Sequence, residues 1–63
     1  MKYSEIHRKL KKAGCYPLGK DIAGDPAWYS PITGKVFPTS HHDKEEAKQG
    51  TKRNIEKQSG VKL

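Results

Sequence analysis

The sequence predicts an α+β fold with the order helix, strand, strand, strand, helix. Three observations carry that expectation. An amphipathic, lysine-rich opening ends at Gly14. A central aromatic stretch, Gly24-Asp25-Pro26-Ala27-Trp28-Tyr29-Ser30-Pro31-Ile32-Thr33-Gly34-Lys35, has the composition of a strand entering a Pro/Gly turn. A second polar, helix-compatible segment closes at Gly60.

In the opening, Tyr3, Ile6, Leu10 and Ala13 recur at helical spacing and form one apolar stripe. Ser4 is a suitable N-cap and Glu5 suits the positive end of the dipole, while Lys9, Lys11 and Lys12 suit the negative end, so the first helix is expected over 4–13. His7 falls in its first turn and reads as a surface residue. Cys15 to Lys20 is apolar but interrupted by Pro17, the pattern of an edge strand. Residues 21–26 are turn-like, and Asp25 is held extended by the proline after it. The second strand is expected over 27–30 and the third over 35–38. From Thr39 to Gly50 the chain is polar and reads as a loop. A second helix is expected from an N-cap at Thr51 to Gln58 or Ser59, with Ile55 as its one large apolar residue.

Sixty-three residues make one domain, 1–63, which buries only about 60% of the surface its unfolded chain exposes. The expected core draws on Ile6, Leu10, Leu18, Ile22, Trp28, Tyr29, Ile32, Val36, Phe37, Ile55, Val61 and Leu63. So small a core has no room for an internal cofactor cavity, and no cofactor is expected. Cys15 is the only cysteine, which excludes an intramolecular disulfide and fits a reducing cytoplasm. No apolar run approaches the roughly 18 residues of a membrane span, so no membrane partner is expected. His7, Cys15, His41 and His42 lack the local spacing that fixes zinc, and no metal site is expected.

Thirteen Lys and Arg against seven Asp and Glu give a formal charge of +6. Residues 1–20 carry +5, residues 21–43 carry −2 and residues 44–63 carry +3. The charge therefore belongs to the terminal segments, the profile of a chain that meets nucleic acid or an acidic protein. Lys20 and Lys35 are the bases nearest the hairpin, and Arg8, Lys11 and Lys12 extend the candidate footprint along the first helix. Trp28 and Tyr29 alternate to opposite sheet faces, so one packs in the core while the other faces outward, with Trp28 a candidate for stacking on bases.

Three antiparallel strands under two helices give a two-layer arrangement like that of double-stranded-RNA-binding domains. Over essentially its whole length the chain also resembles HicA-type toxins, the YcfA-like mRNA interferases of bacterial type II toxin-antitoxin systems. The resemblance lies in Lys2-Tyr3-Ser4-Glu5 with Leu10-Lys11-Lys12-Ala13-Gly14, in Gly24-x-Pro26-x-Trp28-Tyr29-Ser30-Pro31-Ile32-Thr33-Gly34-Lys35, in a histidine after the third strand, and in Gly50-Thr51 leading to Gln58-Ser59-Gly60. It implies a small endoribonuclease that acts on mRNA and is neutralised by a HicB-like antitoxin.

Two positions depart from that family, and the first bears on catalysis. The family's catalytic histidine follows the glycine before the aromatic strand, and Asp25 stands there. An imidazole, with an ordinary pKa of about 6.5, exchanges protons near neutrality, whereas an aspartate of about 3.9 is a weak base with almost no proton to donate. Losing a positioned acid-base group typically costs about 10²- to 10⁴-fold, so nuclease activity is expected to be impaired. His42, or its neighbour His41, lies in the loop after the third strand and could pair with Asp25. A non-catalytic RNA-binding module and an antitoxin-binding protein are the alternative functions. Lys52 also stands where the family commonly has leucine after Gly-Thr.

Overall fold

The computed structural model describes all of residues 1–63 and shows two helices and one three-stranded sheet in the expected order. Helix α1 spans Tyr3–Lys12, strand β1 Tyr16–Ile22, β2 Asp25–Ser30 and β3 Lys35–Pro38, and helix α2 spans Gln49–Ser59. The sheet is antiparallel with β2 at its centre.

Helix α1 buries Ile6 and Leu10 completely, as their spacing requires. Its start differs from the expectation. Lys2 is the N-cap and Ser4 lies inside the first turn without capping anything. The free N–H groups of Tyr3 and Ser4 instead donate to the carbonyls of Glu45 and Asp43, each at 3.0 Å, so a distant loop satisfies the helix. At the other end Gly14 adopts φ 101°, its N–H donates to Lys11 at 3.0 Å, and the Cys15 N–H donates to Leu10 at 2.9 Å. That pair of bonds is a Schellman closure, and it turns Cys15 into the core.

Strand β1 is longer than its apolar content suggests. It runs on to Ile22 because two extra residues are absorbed between Pro17 and Asp21, where its register against β2 shifts. The turn into β2 then needs only Ala23 and Gly24, at φ 51° and 86°, in place of the expected turn over 21–26. Both positive angles suit a two-residue hairpin loop, which favours Asn or Gly where Ala23 stands. The pairing draws Asp25 and Pro26 into β2, opposite Ile22 and Asp21. Strand β3 matches its expected bounds, and the intervening turn closes with Gly34 at φ 69° and its N–H on the Ser30 carbonyl at 2.8 Å.

Trp28 and Phe37 pair across β2 and β3 and are buried in one cluster with Ile6, Leu10, Cys15, Ala47, Ile55 and Val61. Tyr29 and Val36 pair in the next register position and face away from the helices. This one-sided core corrects the expected list. Ile22, Ile32 and Val36 are 38%, 55% and 46% exposed, Leu18 and Tyr29 are only partly covered, and Leu63, partly buried, packs against the cluster as expected. Cys15 and the small Ala47 fill the space instead.

Helix α2 begins at Gln49 with Lys48 as N-cap, so Thr51 lies inside it rather than at its start. Its C-terminus is closed by the hairpin turn. The buried Ser30 hydroxyl donates to the Ser59 carbonyl at 2.5 Å, and the Thr33 hydroxyl donates to the Gln58 carbonyl at 2.6 Å. Gly60 then leaves the helix at φ 73°, where an added Cβ would lie 2.9 Å from Ile32 Cγ2. Both the angle and the space call for glycine. Gly60→Ala is expected to lower stability in urea by about 1–3 kcal/mol, whereas Gly50→Ala, a helical site open around its Cα, raises it by up to about 1 kcal/mol.

Candidate functional site

Asp25 opens β2 and is exposed. It lines an open depression of about 290 Å³ together with Tyr3, Pro38, Thr39, Ser40 and Thr51, a surface of hydroxyls and one carboxylate. Thr39 is drawn there by its N–H, which donates to the Pro26 carbonyl at 3.0 Å and carries the sheet pairing one residue past β3.

Asp25 and His42, which the sequence allowed to pair, share no hydrogen bond. His42 is exposed in the loop, its N–H accepted by the Ser40 hydroxyl at 3.1 Å and its ring tilted against that of His41 with centroids 4.3 Å apart. Lys35 pairs with Ser30, at the end of the hairpin opposite Asp25. It therefore does not flank that position. Lys20 precedes Asp21, which pairs with Pro26, and so lies toward the Asp25 end. Trp28 is the inward of the two aromatics, only 4% exposed, which takes it out of the set of free stacking platforms. Tyr29 is on the open face, 5.5 Å from the ring of Tyr16.

The face of Trp28 is covered by His7. The two rings stack with centroids 5.0 Å apart and planes 22° from parallel. His7 is thus not the surface residue its polar neighbours suggest, since its side chain is only 14% exposed. Its position relative to the apolar stripe carried the signal. It is four residues after Tyr3 and three before Leu10, so it borders the buried face, and the Tyr3 ring lies 6.2 Å away.

Both ring nitrogens of His7 are engaged. Nδ1 is 3.0 Å from Asp43 Oδ1, and Nε2 is 2.6 Å from Thr39 Oγ1. An ionised carboxylate only accepts, so Nδ1 carries the proton and donates to Asp43. In the neutral ring Nε2 then accepts from the Thr39 hydroxyl. Nothing local in the sequence marks Thr39 and Asp43 as partners of a residue more than thirty positions earlier, because the meeting depends on how the loop after β3 folds across α1.

A second depression, about 360 Å³, lies along α1 and is lined by Ser4, His7, Arg8, Lys11, Trp28 and Asp43. Four of these share one helical face at spacings of three and four. Of the expected basic footprint it gathers Arg8 and Lys11, while Lys12 is exposed elsewhere on the helix. The two depressions share no lining residue, but the hydrogen bond from Thr39 to His7 links a residue of one to a residue of the other. Cys15 is buried in the core, and no three His, Cys, Asp or Glu residues converge as a metal-ligating group.

Burial pushes the His7 imidazole below its ordinary pKa of 6.5; the hydrogen bond and charge of Asp43 pull it back, and Lys11 adds to the depression. The neutral ring is the form the fold holds. A base whose folded pKa is lowered contributes stability that is fully present above its unfolded value and is lost as pH falls through the folded one. No helix is long and apolar enough to cross a membrane. Comparisons of the chain with protein families, with curated proteins and with solved structures found no match.

The sign of the His7 shift gives a direct check. Between pH 7.5 and 5, urea stability is expected to fall, and part of that fall should vanish in His7→Gln, which cannot titrate. An identical pH dependence in the two proteins would refute the buried, neutral imidazole.

Proposed function

We propose that this chain is a HicA-like toxin of a toxin-antitoxin system: an RNA-binding endoribonuclease scaffold, of a fold similar to double-stranded-RNA-binding domains, in which Asp25 replaces the catalytic histidine and leaves mRNA cleavage weak. The observation that carries the reading is the placement of Asp25. It starts the central strand, exposed on an open depression, where a histidine would meet a substrate without any rearrangement of the fold. Phosphate contacts in this reading come from the cationic face of α1 at Arg8 and Lys11, which lines the other depression.

A carboxylate there works against a phosphodiester twice over. It repels the phosphate, and at neutral pH it holds no proton for a leaving oxygen. The open sheet face, with Tyr16 and Val36 half exposed around Tyr29, favours a protein partner as well. A HicB-like antitoxin is the partner of this reading, and RNA or antitoxin binding without catalysis is the alternative.

Two measurements test it. Asp25→His is expected to raise RNA cleavage by about 10²-fold or more, and no gain in a folded variant that binds RNA would refute residue 25 as the position of a missing acid-base group. RNA binding should weaken with salt, and Arg8→Gln with Lys11→Gln should flatten the log–log slope by about 1.4 for two lost single-strand phosphate contacts. Binding indifferent to salt would count against an RNA partner.

A further inference from the structure

We propose that Thr39, His7 and Asp43 form a proton relay that opens into the depression beside Asp25 and serves as the general base for attack by an RNA 2′-hydroxyl. The inference rests on the reading of the chain as an RNA-cleaving scaffold and assigns that site a base other than residue 25 or the loop histidines.

The connectivity is that of a hydroxyl, imidazole and carboxylate in series. Asp43 accepts from Nδ1 at 3.0 Å and so fixes the tautomer, leaving Nε2 as the acceptor for the Thr39 hydroxyl at 2.6 Å. This is the arrangement by which a carboxylate-oriented histidine takes a proton from an alcohol in hydrolytic triads. Three further contacts hold it in place. Trp28 stacks on the imidazole, the Thr39 N–H is pinned to Pro26, and the Asp43 carbonyl accepts the Ser4 N–H at the start of α1. Thr39 is only 5% exposed, yet it is one of the residues that line the depression holding Asp25, so the hydroxyl bonded to His7 belongs to a residue at the edge of that depression.

The two depressions suggest how a strand would lie. Phosphate meets Arg8 and Lys11 on the His7 side, and ribose meets the hydroxyls and Asp25 on the Thr39 side. As the ribose 2′-oxygen attacks the adjacent phosphorus, its proton passes to Thr39 Oγ1 while the threonine proton passes to His7 Nε2. The bond from phosphorus to the 5′-oxygen breaks, that oxygen takes a proton from water, and a 2′,3′-cyclic phosphate remains. His7 then returns its proton to solvent through Thr39. Burial favours this cycle, because a ring held neutral is ready to accept.

The test is cleavage of an RNA oligonucleotide by the full chain, with a 2′-deoxy-substituted copy as control and RNA affinity measured in parallel. The wild-type chain is expected to cleave slowly, to leave a 2′,3′-cyclic end, and to show a rate that rises with pH to a plateau whose midpoint lies below 6.5. Thr39→Val should lower the rate by about 10²-fold, and Thr39→Ser, which keeps the hydroxyl, should restore most of it. Should the valine variant fail to fold, the wild-type pH midpoint and the serine variant decide. Cleavage by Thr39→Val at the wild-type rate, or a rate without that pH midpoint, overturns the relay. RNA binding by a wild-type chain that does not cleave overturns the relay and leaves the RNA-binding reading standing. Absence of both binding and cleavage, in wild type and in Asp25→His, overturns the two together.

Discussion

The fold depends on the seat of His7. Its ring belongs to α1, stacks on Trp28 of the sheet and bonds to Thr39 and Asp43 after β3. Buried polar groups cost free energy unless they are paired, so a half-buried imidazole bonded at both nitrogens admits few alternative positions for the loop. The bond to Asp43 is exposed, whereas removing the Thr39 hydroxyl leaves the part-buried Nε2 unsatisfied. That cost is about 1–3 kcal/mol for a buried neutral group, a large share of the stability of a domain this small.

The helix ends follow the same economy. Neither helix has a side-chain N-cap. The start of α1 is closed by the carbonyls of Asp43 and Glu45, and the end of α2 by the hydroxyls of Ser30 and Thr33. The same loop also pairs Lys2 with Glu46 and buries Ala47. Each helix is therefore anchored by a segment distant in sequence. A chain with a core on only one sheet face gains order from these polar closures that apolar burial alone does not supply.

What the sequence revealed followed local rules. The stripe of Ile6 and Leu10 and the stop at Gly14 outlined α1, the Ser30–Gly34 turn outlined the β2–β3 hairpin, and Gly60 marked the end of α2. The alternation of Trp28 and Tyr29 was also legible, although not which of them faced inward. What stayed hidden was non-local. Capping by carbonyls some forty residues away leaves no mark on Ser4, and the extra residues in β1 look like turn composition until β2 fixes their register. The Asp25 position could be singled out from the resemblance, but the relay could not. His7, Thr39 and Asp43 become one unit only when the loop crosses the helix, and a polar residue bordering an apolar stripe looks the same whether it meets water or a partner.

A cationic helix face and a hydroxyl-lined depression are linked through a histidine bonded to a carboxylate on one side and an alcohol on the other, its pKa lowered by burial. The state of that imidazole is the central claim, and nitrogen-15 NMR of the His7 ring reads it most directly. The account predicts one protonated and one unprotonated nitrogen at pH 7, with Nδ1 carrying the proton and a titration midpoint below 6.5. A ring that exchanges freely between tautomers, or one that titrates at or above the ordinary value, would contradict it.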